Sequence, residues 1–141
     1  MTKVLSFRDL DAWNAAMDLV VAIYDLCARF PREERYGLGR QMQRAAASVP
    51  SNVAEGHAYG PGLRYRNHVR IALGSLGELA TELEIAVRLK YVARDQVARI
   101  EGQLVRTRQL LSGLHRSLRR RLIGSALSFA VLVCSGVALL S

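Results

Sequence analysis

The sequence predicts an all-α protein, an antiparallel up-down-up-down four-helix bundle with an extra C-terminal apolar helix. In four segments the apolar residues recur at steps of three and four, which keeps them on one face of a helix. No segment shows the sustained alternation of apolar and polar residues that is typical of a half-buried strand. The links between segments are short, as they are between antiparallel neighbours. Half of the 141 residues are apolar, which is enough for a core.

The first predicted helix follows Asp9, its candidate N-cap. It ends at Phe30-Pro31, because the residue before a proline is pushed out of the helical region. Its expected buried face consists of Leu10, Trp13, Met17, Val20, Tyr24 and Cys27.

The second predicted helix contains Pro50, which removes one backbone donor and should kink the helix. A turn of glycine-rich composition is expected over residues 56–62. The buried face predicted between these limits consists of Leu38, Met42, Ala45, Val49 and Val53.

The third and fourth predicted helices are joined by a short link near residues 91–95. Gly74 and Gly77 lie inside the third helix, where each glycine costs about 1 kcal/mol. They indicate either a close approach of another backbone or simple tolerance. The expected buried positions are Val69, Ala72, Leu76, Leu79, Leu83 and Ala86 in the third helix, and Val97, Ile100, Leu104, Thr107, Leu111, Leu114 and Leu118 in the fourth.

The two cysteines, Cys27 and Cys134, lie far apart and form no Cys-x-x-Cys pair. A disulfide framework and a cysteine-type zinc site are therefore not expected. Residues 1–10 contain no apolar core of signal-peptide length. Together these features favour a reduced, cytoplasmic location.

Positive charge is concentrated late in the chain, whose formal net charge is +8. Residues 1–60 carry seven basic and seven acidic residues, whereas residues 91–121 carry eight arginines and two acidic residues. We predict that nucleic-acid phosphates contact arginines at the start of the third helix and along the fourth, although arginine on a bundle surface can also be merely solubilising. These residues are Arg64, Arg66, Arg70, Arg94, Arg99, Arg106, Arg108, Arg116, Arg119 and Arg120. No aromatic residues interleave with them, so base stacking is not predicted.

The chain carries no recognisable catalytic or metal-binding motif. His57, His68 and His115 are isolated, and no glutamate has a histidine three positions later, as a di-iron bundle requires. Gly60-Pro61-Gly62 is not followed by the Gly-Lys-Ser/Thr of a phosphate loop. We therefore expect a protein that is not an enzyme, with no metal and no cofactor.

A polar stripe with helical spacing runs along the second helix, on a different face from its apolar residues. One interpretation is a solvated face whose polar groups satisfy the backbone freed by Pro50. The other is a buried polar seam at a subunit interface that fixes the oligomeric state. The stripe consists of Gln41, Arg44, Ser48, Asn52 and Glu55.

Residues 122–141 form an uncharged tail after a predicted bundle domain of residues 1–121. A helix of that length would span about 30 Å, the thickness of a bilayer core. Arg119-Arg120-Arg121 precedes the tail, as the positive-inside rule expects of a cytoplasmic flank. The tail could thus tether the bundle to the cytoplasmic face of the inner membrane. Alternatively it packs on the oligomer as an extra helix, or is an accidental extension without a role.

Four ordered motifs resemble a family of small bacterial four-helix-bundle proteins that are encoded in intervening sequences of ribosomal RNA genes. The accessory proteins of diversity-generating retroelements are similar to them. The motifs are FRDLDAW at residues 7–13, FPREERYGL at 30–38, RAAASVPSNVAEG at 44–56 and ALGSLGEL at 72–79.

The resemblance implies a non-enzymatic four-helix bundle that assembles as a homopentamer. For the retroelement accessory type it also implies binding of nucleic acid and of a reverse transcriptase through a basic surface. This chain departs from the family at residues 57–63, a less basic turn than is usual there, and in its tail.

Two further functions compete with nucleic-acid or ribonucleoprotein association. In a membrane-tethered scaffold, the arginines next to the tail would meet anionic lipid headgroups. In an adaptor, the same surface would bind a protein partner. Arg64, Arg66 and Arg70 discriminate between the first two, because only nucleic-acid binding should need them.

Overall fold

The computed structural model describes the backbone of residues 6–138 and the side chains of residues 6–133. Short 3-10 turns at Phe7–Asp9 and Arg32–Arg35 precede the first two helices. The described residues contain no strand, so the all-α prediction is confirmed. The helices are α1 Asp11–Cys27, α2 Leu38–Ala58, α3 Leu63–Arg88 and α4 Arg94–Ala138.

The four helices form an antiparallel bundle. α1 packs against α2, α2 against α3 and α3 against α4, and α4 closes the ring against α1. Because the links are short, consecutive helices run in opposite directions. The start of α1, the end of α2 and the start of α3 therefore share one end of the bundle with residues 115–121 of α4. The predicted up-down-up-down topology is confirmed.

The core lies between the helices, and the apolar stripes predicted for α2, α3 and α4 face it. All six predicted positions of α3 are buried, and so are six of the seven on α4, with Leu114 partly buried. Thr107, the polar member of the α4 stripe, is fully buried. Its Oγ1 donates to the carbonyl oxygen of Gln103 at 2.8 Å, so the hydroxyl is satisfied within its own helix.

The face of α1 that was predicted to be buried is wrong by about one residue. Met17 and Tyr24 are exposed, and so is Val21, at 59%. The predicted face of α1 and the face that is buried both have apolar residues at helical spacing. Contact with α2 and α4 decides which of the two is buried. The buried positions are Ala12, Ala16, Leu19, Ile23, Leu26 and Cys27.

Four predicted helix ends differ from the structure. Asp9 belongs to the first 3-10 turn, where its Oδ2 accepts from the Ser6 amide at 3.0 Å, and Leu10 is the N-cap of α1. α1 ends at Cys27, before Phe30-Pro31. Residues 56–58, predicted as a turn, are the last residues of α2, and the link between α3 and α4 begins at Leu89.

The close approach between helices lies at Gly56. A Cβ atom there would lie 2.6 Å from Cδ2 of Tyr65 and 2.9 Å from Cβ of His68. At Gly74 and Gly77 a Cβ would meet no atom within 4 Å. The predicted close approach at these two glycines is therefore wrong within the protomer, because neither faces a neighbouring helix. α2 continues past Pro50, which is buried, and the kink expected there stays a prediction.

The apolar tail does not form a helix of its own, because α4 continues into it without a break. The bundle covers α4 as far as Leu118, whereas large apolar side chains from Ile123 to Val133 are exposed, with Phe129 at 71%. No helix in the described residues is both long and apolar enough to cross a membrane. Residues 139–141 of the predicted anchor lie outside the described residues.

Candidate nucleic-acid interface

Arginines from α3 and α4 converge at the end of the bundle where α3 begins. Gly60-Pro61-Gly62 reverses the chain between α2 and α3. Because α4 is antiparallel to α3, the first two turns of α3 lie at the same end of the bundle as residues 115–121 of α4. The contact is direct, since Nε of Arg66 donates to Nε2 of His115 at 3.2 Å. We call this group the arginine end, and it consists of Arg64, Arg66, Arg70, Arg116, Arg119, Arg120 and Arg121.

An open cavity of about 420 Å³ lies on the arginine end, along the first turns of α3. Its polar lining is almost entirely cationic, with three guanidinium groups and one amide. A negatively charged group that enters it would meet several donors at once. The lining residues are Leu63, Arg64, Arg66, Asn67 and Arg70.

Electrostatics show that these charges lie close together. Burial, and then the charges of Arg66, Arg70 and Arg119, lower the pKa of His115. The acceptor role of Nε2 toward Arg66 also requires an unprotonated nitrogen. Three positive charges from two helices thus act on one half-buried imidazole.

A ring from the preceding turn lies among these charges. The guanidinium carbon of Arg64 lies 5.3 Å from the ring centre of Tyr59, within cation–π range. The same ring stacks on His68, with centres 5.6 Å apart and planes 20° apart. The tyrosine is half-exposed, so an aromatic surface does accompany the arginines. The prediction that bases do not stack on this surface stays a prediction.

Arg94 lies at the opposite end of the bundle and is ion-paired. Its Nη1 lies 2.9 Å from Oε2 of Glu84 and 3.2 Å from Oε1 of Glu101. Hydrogen bonds from Arg94 and Arg88 lower the pKa of Glu84 to about 2. The structure therefore does not bring Arg94 together with the arginine end, and two carboxylates offset its charge.

The remaining predicted arginines are spread along the middle of α4. Arg99 lines an open cavity of about 480 Å³ between α1 and α4, together with Asp18 and Asp25. Arg108 lines a smaller cavity with Glu84. Arg106 is exposed. These positions carry nearby carboxylates or stand apart, unlike the arginines at the start of α3.

The polar stripe of α2 divides into two parts. Ser48 and Asn52 are half-buried and bond to α3, where Oγ of Ser75 lies 2.9 Å from Oγ of Ser48. Nδ2 of Asn52 donates to the carbonyl oxygen of Ser48 at 2.9 Å. Gln41, Arg44 and Glu55 are exposed. Part of the stripe is thus an intramolecular seam, and its role at a subunit interface stays a prediction.

The sequence model of the 23S rRNA-intervening sequence protein family matches residues 8–113, which is most of the bundle. The chain belongs to this family. The match ends before the last arginines of α4 and before the apolar tail. This family member therefore carries part of its arginine end outside the matched region.

A crystal structure of a protein with unknown function from the S23 ribosomal protein family of Bacteroides thetaiotaomicron has a similar fold, with a TM-score of 0.69. The similarity covers 74% of this chain and 95% of that chain, at 22% sequence identity. At that identity the comparison supports the fold alone. The chain matches none of the curated proteins.

Three residues at or beside the arginine end, namely Tyr59, His115 and Arg121, were not predicted as site residues of this family member. His115 was treated as an isolated histidine, and Tyr59 as part of a turn. Arg121 acts on the hydroxyl of Tyr65, whose pKa burial raises to about 12. Their positions depend on the pairing of α3 with α4 and on the fold of the turn, which sequence spacing does not give. In the described residues, no group of three or more histidine, cysteine or acidic side chains could hold a metal ion.

Proposed function

We propose that this protein is a non-enzymatic, oligomeric protein that binds the backbone of nucleic acid through its arginine end, within or beside a ribonucleoprotein. The supporting observation is an open cationic cavity lined by three arginines of α3, at the end of the bundle where Arg66 contacts His115 of α4. The acidic residues at this end are few, namely Asp9, Asp11 and Glu55.

The binding mode follows from the side chains. Arginines that contact phosphates release counterions, so affinity falls steeply as salt rises. Phosphate contacts position a protein on nucleic acid but carry little sequence information. We therefore expect strong binding at low salt and weak sequence preference.

The test measures the affinity of the full chain for structured RNA and for duplex DNA over a series of salt concentrations. A triple variant at the arginine end, R64Q/R66Q/R70Q, should weaken binding by at least about tenfold at low salt and reduce the salt slope by about one per lost contact. Thermal unfolding of the variant checks that the bundle is intact.

The matched control is R99Q/R106Q/R108Q, which removes the same charge from the middle of α4. It should retain most of the affinity. An equal loss in both variants would assign binding to overall charge and contradict the arginine end. No binding of the unaltered protein at low salt would overturn the proposed function.

We further propose that the protein is a homo-oligomer, with the pentamer implied by its resemblance. The exposed stripe Met17, Val21 and Tyr24 on α1 supports this, because an uncovered apolar face favours association. Several arginine ends in one particle would strengthen binding by multivalency. Light scattering should give the mass of five chains, and Val21→Glu should reduce it. A monomer over the accessible concentration range would contradict the oligomer.

We also propose a reverse transcriptase as partner, which the resemblance of the sequence motifs to retroelement accessory proteins implies. The arginine end is the surface proposed for that contact. Co-purification with a reverse transcriptase encoded beside the gene tests this, and R64Q/R66Q/R70Q should reduce the recovered complex.

A further inference from the structure

We propose that Arg66, Arg70, Arg119 and His115 form one phosphate-binding site, in which a bound phosphate group and a proton on His115 stabilise each other. This inference rests on the proposed function, because it takes the phosphate to be part of a nucleic-acid backbone. It goes further in naming a discrete site and in coupling its occupancy to pH.

The geometry of the site comes from two helix-surface pairs that face each other. Arg66 and Arg70 are four residues apart on α3, and His115 and Arg119 are four residues apart on α4, so each pair shares one face of its helix. The hydrogen bond from Nε of Arg66 to Nε2 of His115, at 3.2 Å, joins the two pairs. Arg66 and Arg70 also line the open cavity of about 420 Å³. A phosphate group in that cavity could reach guanidinium groups that also act on His115.

The positive charges of the proposed site are not offset by ion pairs within the described residues. None of the ion pairs among the described side chains involves Arg66, Arg70 or Arg119. Like charges at a spacing of four residues destabilise a helix. An anion that binds here would remove this repulsion, which gives the site a reason to prefer an occupied state.

The protonation of His115 depends on whether the site holds a phosphate group. Burial and the charges of Arg66 and Arg70 from α3 and of Arg119 from α4 all lower its pKa, which favours the neutral imidazole in the free protein. No charge from α1, the other helix packed against α4, contributes to this shift among the described residues. The ordinary pKa of histidine lies near neutrality, where a change in local charge alters its protonation.

Phosphate binding weakens the positive electrostatic field at His115. A bound phosphate diester offsets the arginine charges, so the pKa of His115 rises and the imidazole takes up a proton. Its Nε2 then becomes a donor, the hydrogen bond from Arg66 breaks, and both groups can donate to phosphate oxygens. By linkage, affinity must increase as pH falls through the range in which His115 titrates.

The experiment measures the affinity of the full chain for duplex DNA between about pH 8 and pH 5, the range in which a histidine titrates. Affinity should increase by up to about tenfold per pH unit, the limit for uptake of one proton. His115→Gln keeps an acceptor for Arg66 but cannot titrate. It should lose the increase in affinity at low pH.

The matched control is His57→Gln, which removes a histidine at the same end of the bundle whose ring contacts Tyr65. It should retain the pH dependence. NMR of the histidine ring protons gives a second measurement, in which the pKa of His115 should rise when duplex DNA is added. Inorganic phosphate serves as a further probe, and a rise of the same size with it would assign the site to free phosphate and overturn a backbone site.

The outcomes separate the two proposals. Binding that is independent of pH, or an equal pH dependence in His115→Gln, would overturn the phosphate site with its proton and leave backbone binding by the arginine end standing. No binding to nucleic acid at any pH would overturn the proposed function and this site with it.

Discussion

Asn52 of α2 and His68 of α3 are joined by a hydrogen bond of 3.0 Å between Oδ1 and Nδ1. Because Nδ2 of Asn52 donates to the carbonyl and hydroxyl oxygens of Ser48, Oδ1 must accept, and the proton lies on Nδ1 of His68. The hydroxyl of Ser48 in turn lies 2.9 Å from that of Ser75. A directed polar chain thus fixes the register of α2 against α3 at the base of the arginine end.

Asn52→Ala should lower the free energy of unfolding by about 1–3 kcal/mol, because it leaves half-buried polar groups on both helices without partners. Chemical denaturation measures the change. Ser51→Ala is the matched control, since that side chain is exposed and bonds only within its own helix, at 2.8 Å from the carbonyl oxygen of Ala47. The control should change stability by no more than about 0.5 kcal/mol. Equal effects would show that the chain to α3 adds no stability.

Gly56→Ala should destabilise the bundle by about 1–3 kcal/mol, because the added methyl would collide with Tyr65 and with the Cβ of His68. The Cβ of His68 is attached to the backbone of α3, so it can move away from Gly56 only if α3 shifts. Gly74→Ala is the matched control, because a Cβ there meets no atom within 4 Å. It should stabilise the helix by about 0.5–1 kcal/mol. Thermal unfolding of both variants measures these changes, and the two changes in stability should have opposite signs.

Glu82 should make stability fall as pH rises. The residue is 6% exposed, and its Oε2 makes no hydrogen bond to a described residue. Burial, and then the charge of Glu78, raise its pKa from 4.5 to about 7. Between these values only the folded state holds the proton, so the free energy of unfolding decreases across this window and levels off above it.

Glu82→Gln should remove that decrease, so its stability relative to the unaltered protein should be greater at about pH 8 than at about pH 4, on either side of the titration. Denaturant unfolding at a series of pH values measures this. Glu33→Gln, at an exposed position in the second 3-10 turn, should leave the pH dependence unchanged. If the stability of Glu82→Gln changed with pH in parallel with that of the unaltered protein, the decrease could not be assigned to Glu82.

Glu84 should act in the opposite direction. Hydrogen bonds from Arg94 and Arg88 lower its pKa from 4.5 to about 2. Its contribution to stability is complete above the higher value and is lost as pH falls toward the lower one. Glu84→Gln should therefore differ from the unaltered protein at neutral pH and converge with it in acid. High salt should shrink the difference because the pair is exposed to solvent.

The helix count, the topology and the buried faces of α2, α3 and α4 could be predicted because each depends on local spacing. The face of α1 could not, because Leu19 and Val20 are both apolar and either fits a helical stripe. Only contact with α2 and α4 distinguishes them. The same limit applies to Gly56 and Gly74, since spacing marks both as helical and only the neighbouring helix shows which one is close-packed.

The candidate site divides in the same way. The sequence by itself determined which residues carry the positive charge, and that the last twenty are uncharged. Only the tertiary structure decided that Arg66 contacts His115, while Arg94 is paired with Glu84 at the other end. The physical reason is that charge interactions depend on distances between helices, and antiparallel packing sets those distances between residues far apart in the chain.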